Sequence, residues 1–320
     1  LDELFTTGEE MNLLPKRIEK ITVPPIKCQG IKTKLIPFIS GNIQWDGKGK
    51  WLEPFLGSGV VVFNIQPERA CLSDANPHLI RFYQDLQSGK ITPEIVREYL
   101  GEQGNLLSLR GKDHYLETRA RFNTAPDSLA FLFLNRSGFN GLIRFNGKGE
   151  WNVPFNHKPE RYAKAYITKI ANQVQAASAI MSYRDWTFRV LDWKQGLSCV
   201  EADDFVYIDP PYWGRNTDYY NGWTEENARQ LAQRANELPC GFALSMWKEN
   251  RFRTNSHLQE CWPNTVIRTC SHFYHVGAQE SNRNEIVEAL AIKPGFTAVA
   301  TIADGKPDSL IAVSNISMSQ

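Results

Sequence analysis

The sequence contains no Cys-x-x-Cys pair. Its six cysteines, Cys28, Cys71, Cys199, Cys240, Cys261 and Cys270, are scattered without a histidine at zinc spacing, and no histidine falls in an HExxH-type pattern. No metal centre is therefore expected, and the thiols read as reduced and mostly buried. Long hydrophobic runs are also missing: none approaches the ~18–20 residues of a membrane span. The stretch LDELFTTGEEMNLLPKRIEK is too charged for a secretory signal, so a soluble cytoplasmic protein is expected. Nor is there an excess of one charge, with 36 Lys+Arg against 35 Asp+Glu. That balance excludes a wholesale polycation, and a nucleic-acid partner would have to be held by a local basic face. Internal repeats and low-complexity tracts are absent. What remains is a chain of 320 residues, 42% hydrophobic and 22% charged, long enough for two units or for one large domain with an insertion.

The first strand signal is Lys48–Phe55, running into the turn Leu56-Gly57-Ser58-Gly59 and then the apolar stretch VVVFNI. A second short strand, Arg69–Ser73, stops at Asp74-Ala75-Asn76-Pro77, and His78–Leu86 reads as a helix. This βαβα order starts an open parallel sheet. Later, DDFVYIDPPY (Asp203–Tyr212) repeats the pattern of a buried strand ending in polar residues and proline. Gly241–Trp247, Thr265–Cys270 and Glu285–Lys293 supply further strands, with a helix over Thr224–Leu238. Between the halves, helical patterns at Pro93–Leu100, Lys112–Asn123 and Asp127–Asn135 lead into a Gly/Asn-rich loop, Gly138–His157. The expected organisation is an N-terminal arm (1–24), an α/β catalytic domain (25–90 and 180–300), an inserted, mainly helical domain (91–179) and a tail (301–320).

Glycines at the end of a parallel strand let backbone N–H groups approach a ligand beyond the carboxyl ends of the strands, although glycine turns also arise for purely steric reasons. Here Glu53 ends the first strand and Asp74 ends the second, 21 residues later. That is the spacing of an acid that binds ribose hydroxyls. The turn EPFLGSG is not the dinucleotide pattern GxGxxG, and Glu53 would repel a pyrophosphate. A nucleoside that lacks phosphates and carries positive charge is the better match, and S-adenosylmethionine fits.

Asp209-Pro210-Pro211-Tyr212 closes the strand FVYI. A proline pair at a strand end ordinarily means only that pairing stops. A chemical reading accounts for all four positions. An exocyclic aromatic amine is a poor nucleophile because its lone pair is delocalised into the ring. A carboxylate and a proline-rigidified carbonyl can each accept one of its N–H groups, favouring a pyramidal nitrogen. A tyrosine can stack on a base that has left the duplex.

From Arg136 to Lys169 the bases Arg136, Arg144, Lys148, Lys158, Arg161, Lys164 and Lys169 face only Glu150 and Glu160, so charge is segregated here. Interleaved Phe139, Asn140, Phe145, Asn146, Trp151 and Asn152 offer rings to stack and amides to bond base edges. A solvated basic face is the alternative for Lys164 and Lys169. Arg144 is the type of side chain that reads guanine bidentately.

Together these blocks resemble the Dam-type (D12-class) N6-adenine DNA methyltransferases, from about Pro25 to Lys293. The family's leading K-W-x-G-x-K block is similar to Lys27-Cys28-Gln29-Gly30-Ile31-Lys32, and its other blocks are similar to EPFLGSG, LSDANPHLI, LNRSGFNGLIRFNGKGEWNVPFN and YIDPPY. The resemblance implies a Rossmann-like methyltransferase sheet with a mainly helical target-recognition insertion, S-adenosylmethionine as cofactor (S-adenosylhomocysteine as product), no metal, and double-stranded DNA as substrate. It implies that Lys32, Glu53, Phe55, Gly57, Asp74, Asp192 and Trp193 surround the donor and that Asp209, Pro210, Pro211 and Tyr212 form the catalytic pocket. For Asp192 the alternative is that it merely caps the chain before Lys194. Arg136 and Asn140 would lie at a DNA-facing loop with Phe139 as its wedge. Leu142, Arg144 and Pro154 would read bases, Asn146 would bond a base edge, and Lys27 would read a flanking guanine, as in the GATC-recognising branch. Cys28 departs from the family's usual aromatic, so part of the donor pocket would be built differently. A cognate restriction endonuclease acting independently is a further partner that the resemblance allows.

Two readings compete. Methyltransferases acting on cytosine N4 or a glutamine amide usually carry SPPY or NPPY, and Asp209 argues against both; a non-catalytic DNA-binding module would keep the fold without transfer. Thr217–Thr224 reads as a loop closing on the base or packing on its neighbour, and Arg283 as a candidate phosphate contact.

Overall fold

The structure is a computed structural model that describes residues 13–212, 223–250, 253–275 and 283–299. Five parallel strands form its centre: β1 (Trp51–Glu53), β2 (Arg69–Asp74), β3 (Asp185–Val190), β4 (Phe205–Ile208) and β5 (Gly241–Asn250). A two-residue strand, β6 (Arg253–Thr254), pairs with the end of β5. The last two strands, β7 (Val266–His275) and β8 (Arg283–Ile292), run antiparallel, giving the order β3-β2-β1-β4-β5-β8-β7. This is a Rossmann-like α/β sheet. Strand order reverses between β1 and β4, which opens a crevice at their carboxyl ends.

The sheet's two faces follow from side-chain alternation. Trp51 on β1 stacks on Phe205 of β4 (centroids 5.2 Å, 14°) and lies nearly parallel to Tyr207 (6.1 Å, 13°). Leu52, Val206 and Ile208 project into the opposite core with Leu231 and Phe242. Because strand side chains repeat every second residue, Glu53 follows Trp51 and Asp209 follows Tyr207 on one face. The two carboxylates of the sequence motifs thus share a side of the sheet at adjacent strand ends.

Strand β1 is shorter than the expected Lys48–Phe55. The backbone before it is pinned against the neighbouring loop at Gly49, where a Cβ would come within 2.0 Å of the Asp203 carbonyl oxygen. The apolar run after the glycine turn gives a single helical turn, α2 (Val62–Ile65), after the preceding helix α1 (Ile36–Asn42); Gln66 then takes φ +54° just before Pro67. Helix α3 (Pro77–Gln87) begins where expected, because Asn76 caps it: its Oδ1 accepts from the backbone N–H of His78 and Leu79 at 3.0 and 3.3 Å. The chain then leaves the sheet for α4 (Pro93–Arg110), α5 (Lys112–Thr124), α6 (Ser128–Ser137) and α7 (Lys164–Met181) and returns at β3. Thr92 and Asp127 cap α4 and α6. Helix α6 is buried at every position but Leu129, with Phe131, Leu132, Phe133 and Leu134 at 0% exposure. Burial of such side chains contributes ~1.5–3 kcal/mol apiece, which fixes the insertion on α3. Three short helices complete the described chain: α8 (Trp193–Gly196), α9 (Glu225–Asn236) and α10 (Ser256–Cys261). Among the described residues no helix is long and apolar enough to cross a membrane.

Candidate active site

The glycine turn is built by its neighbours. Gly57 adopts φ +51°, a left-handed conformation that favours glycine, and a Cβ there would meet nothing within 4 Å, so the turn borders open space. Asp74, 4% exposed, fastens this turn to β2: its Oδ2 accepts from Gly57 N–H at 3.0 Å and its Oδ1 from Asn76 N–H at 2.9 Å. Burial raises the Asp74 carboxyl to about 6 against the opposing pull of these two bonds. Glu53 is 2% exposed and accepts from the Trp51 indole N–H at 2.8 Å. Burial pushes it up to about 8; the Trp51 bond opposes this, and the nearby Asp209 charge adds to it. Among the described residues no cation pairs with Glu53 within 4.0 Å. A buried carboxyl without a counter-cation is the kind of group that a positively charged ligand can pair with.

Asp209 does have its cation. Lys32 Nζ lies 2.7 Å from Oδ1 and 2.8 Å from Oδ2, and also donates to the Gly30 carbonyl at 2.9 Å. Gly30 permits that geometry with φ +74°. Burial raises the Asp209 carboxyl, while Lys32 counters by favouring the ionised form. The Lys32 ammonium also stands 5.1 Å from the centroid of the Tyr212 ring, a cation–π contact. The Tyr212 hydroxyl in turn donates to Glu288 Oε2 on β8 at 3.0 Å. A chain of charged and polar contacts therefore runs from Asp209 through Lys32 and Tyr212 to Glu288 on β8. Beside Pro210 and Pro211 a narrow cleft of about 20 Å³ is walled by Tyr212, Trp223, Trp247 and Trp262.

Phe55 and Trp193 are buried on the far wall and meet through Trp223, which packs edge-on to Phe55 (5.5 Å, 83°) and to Trp193 (6.3 Å, 65°). Asp192 takes the capping role of the alternative reading: its Oδ1 accepts from Gln195 N–H at 2.9 Å, and the Gln195 amide oxygen accepts from Asp192 N–H at 3.1 Å. Cys28 packs against the core, and burial, with Asp74 and Asp209 nearby, holds its thiol protonated.

In the insertion the structure gathers some of the expected residues and withdraws others. Phe139 is 48% exposed, and Asn140 beside it sits at φ +52°. The Phe139 N–H donates to the Pro154 carbonyl at 2.9 Å, and Leu142 N–H donates to the Phe139 carbonyl at 3.1 Å, so Phe139, Asn140, Leu142 and Pro154 share one edge. Arg136 does not belong to that surface. It is 2% exposed and donates to the Pro25 carbonyl and, at 2.6 Å, to Gln173 Oε1. Arg136 ties the segment before Lys27 to the insertion, so its guanidinium is held inside the fold and not exposed at the Phe139 loop. Asn146 is likewise spent within its own turn, accepting from Lys148 and Glu150 N–H and donating to Glu150 Oε2 at 2.8 Å. Arg144 is held across the hairpin, with Nε donating to Asn152 Oδ1 at 2.8 Å and Nη2 to Asn152 O at 3.1 Å. Lys27 is locked by Asn135, whose amide bonds its N–H and its carbonyl at 2.9 Å each. Residues 217–222 and the Arg283 side chain lie outside the described set.

Sequence reasoning missed Glu288 and gave Trp223 no role of its own. A glutamate inside the apolar run EIVEALAI was the available signal for the first; Trp223 had only its place after Asn221-Gly222.

A Rossmann-like sheet with a glycine turn at the end of β1 and an Asp-Pro-Pro-Tyr motif at the end of β4 is the arrangement of a methyltransferase. The D12 class N6 adenine-specific DNA methyltransferase family matches residues 29–272, and the chain belongs to that family. It is similar to the DNA adenine methylase of Vibrio cholerae, 31% identical over 254 residues, covering 75% of this chain and 86% of the relative. The DNA adenine methylase of Escherichia coli is 34% identical over 231 residues, covering 67% and 75%. A Type II methyltransferase of Lactococcus lactis subsp. cremoris is 30% identical over 302 residues, covering 89% of this chain and all of the relative.

Proposed function

We propose that this DNA adenine methyltransferase uses S-adenosylmethionine and acts on an adenine turned out of double-stranded DNA, within GATC or a related site. The observation that carries this reading is the Lys32–Asp209 ion pair beside the unpaired Glu53, on one face of the sheet at the switch point. The donor carries a sulfonium and an ammonium, and the buried Glu53 carboxylate, the open space at Gly57 and the Phe55–Trp193 wall fit such a group. Asp74, Asp192 and Lys32 complete the surroundings. When bound, it supplies an electrophilic methyl carbon.

The remaining work belongs to the chain. Lys32 favours the ionised form of Asp209 against burial; the carboxylate accepts one N–H of the adenine amine, and the Pro210 carbonyl accepts the other. Those two bonds pyramidalise the nitrogen and aim its lone pair, and preorganisation of the acceptors lowers the barrier. Pro211 stiffens the backbone, and Tyr212, anchored through Glu288, stacks on the base. Phe139 and Asn140 meet the opened duplex, while Leu142, Arg144 and Pro154 read neighbouring bases. Residues 91–179 act as the target-recognition domain, 25–90 and 180–300 as the catalytic domain, 1–24 as an arm and 301–320 as a tail. The cytoplasm of a bacterium, an archaeon or a phage-infected cell is the setting, with a cognate restriction endonuclease acting independently in a restriction-modification context.

Incubating duplex DNA with the protein and labelled S-adenosylmethionine, then separating the nucleosides by mass spectrometry, tests this directly. N6-methyldeoxyadenosine is expected. N4-methyldeoxycytidine alone, or no methylated nucleoside, would overturn it.

A further inference from the structure

Away from the crevice, three cations converge on one phenol. The Arg161 guanidinium stands 5.0 Å from the centroid of the Tyr166 ring, and its Nε and Nη2 donate to the Tyr166 hydroxyl oxygen at 3.2 and 3.1 Å. Lys27 Nζ lies 6.0 Å from the same centroid. Arg136 is close enough to act on the phenol through its charge. Among the described residues no carboxylate lies within 4.0 Å of any of the three cations. Burial alone would raise the Tyr166 phenol, but Arg136, Lys27 and Arg161 outweigh it and bring the group down to about 8. Lys27 is itself lowered, by burial first and then by Arg136 and Arg161. Like charges gathered in a half-buried space repel one another unless an anion joins them.

The cluster is not an isolated patch. A Cβ on Gly141 would come within 2.7 Å of Lys27 Cβ, so Gly141, at φ +67°, is the residue that lets Lys27 pack directly beneath the turn bearing Phe139 and Asn140. Arg136 donates to the Pro25 carbonyl and Gln173 Oε1 and also hydrogen-bonds the Tyr166 hydroxyl, so it holds the phenol from the buried side. Arg161, Lys27 and the Tyr166 hydroxyl are the half-buried groups that can reach a ligand. A base edge presents no net charge, whereas a phosphodiester carries one negative charge and acceptor oxygens suited to guanidinium, ammonium and hydroxyl donors. We infer that Lys27, Arg161 and Tyr166 form a seat for one backbone phosphodiester of the bound duplex, beside the Phe139 turn, with Arg136 supplying charge from beneath. This inference rests on the reading of duplex DNA as substrate.

Equilibrium binding of several duplexes across a salt series tests the seat. Arg161→Ala should weaken every duplex alike and lower the slope of log affinity against log salt by about 1, while Arg161→Lys keeps the slope. An unchanged slope with duplex binding intact would overturn the inference, as would a loss confined to one sequence. Failure of the wild-type protein to bind any duplex would instead sink the substrate reading beneath it. A second measurement needs no charge-removing variant: NMR of ring-labelled tyrosine, with Tyr166 assigned through Tyr166→Phe. Saturating duplex should move the Tyr166 titration upward, because a seated anion offsets the cations. No movement would contradict the seat, and an equal movement with micromolar inorganic phosphate would assign it to free phosphate instead.

Discussion

Lys32 and Asp209 are 177 residues apart in sequence and form a bidentate ion pair, 2.7 and 2.8 Å, with the lysine side chain 4% exposed and the aspartate 23%. A leading block of the chain thereby sets the charge state of a residue at the end of β4. Burial raises the Asp209 carboxyl, and Lys32 is the group that opposes this. Removing the cation leaves burial unopposed.

Lys32→Met is accordingly expected to raise the Asp209 pKa further, so that the acidic limb of the pH–rate profile for methyl transfer moves to higher pH. Activity at neutral pH falls and is partly regained in more alkaline buffer, while Lys32→Arg retains more of it. A profile of unchanged shape with only a uniform loss would show that Lys32 does not act through the charge on Asp209.

Glu53 and Asp74 have folded-state values of about 8 and about 6, above their ordinary 4.5 and 3.8. For a carboxyl raised by folding, the unfolded chain gives up its proton first, so stability falls as pH rises from the unfolded value and levels off above the folded one. The protein without donor should thus lose thermal stability between about pH 4.5 and pH 8, and Glu53→Gln should flatten that decline. Binding of a cationic donor favours ionised Glu53, so at pH 7 calorimetry in buffers of different ionisation enthalpy should record proton release. Proton uptake would contradict the seat assigned to Glu53.

Arg136→Ala is expected to destabilise the fold. It strips the buried Pro25 carbonyl and Gln173 of their donor, at a cost of about 1–3 kcal/mol. Chemical denaturation measures this. A variant as stable as the wild type would show that the buried bonds contribute little.

Asn152→Ala should reproduce part of the effect of Arg144→Ala, because it removes the Oδ1 that accepts from Arg144 Nε while the backbone oxygen that accepts from Nη2 remains. Arg144→Ala is expected to cost about 1–3 kcal/mol of discrimination at one base position. Methylation rates on a panel of singly altered sites check both. Unaltered site preference in the two variants would remove Arg144 from base reading.

Much of the catalytic half was legible in the sequence because its determinants are local. Asp74, Asn76 and Pro77 end a strand and cap a helix within four residues, and Pro210-Pro211 stops β4 where the acceptors are needed. Strand β3 and helix α7 were not legible. β3 is an edge strand whose pattern alternates weakly, with Arg189 and Val190 exposed, and α7 carries its apolar residues among polar ones without a capping side chain. The fate of each arginine was also hidden, since Arg136 and Arg144 sit eight residues apart with similar neighbours. Only tertiary packing against Pro25 and Gln173 buries the first. Glu288 joined the site through a sheet pairing that lies 76 residues from Tyr212, a distance no local pattern conveys.

The most direct test of the catalytic assignment is single-turnover methyl transfer by Asp209→Ala at saturating donor, with donor affinity measured alongside. Expected is a loss of about 10²-fold or more in the transfer rate, with donor binding close to that of the wild type. Undiminished methylation of adenine N6 by that variant would contradict the role given to Asp209.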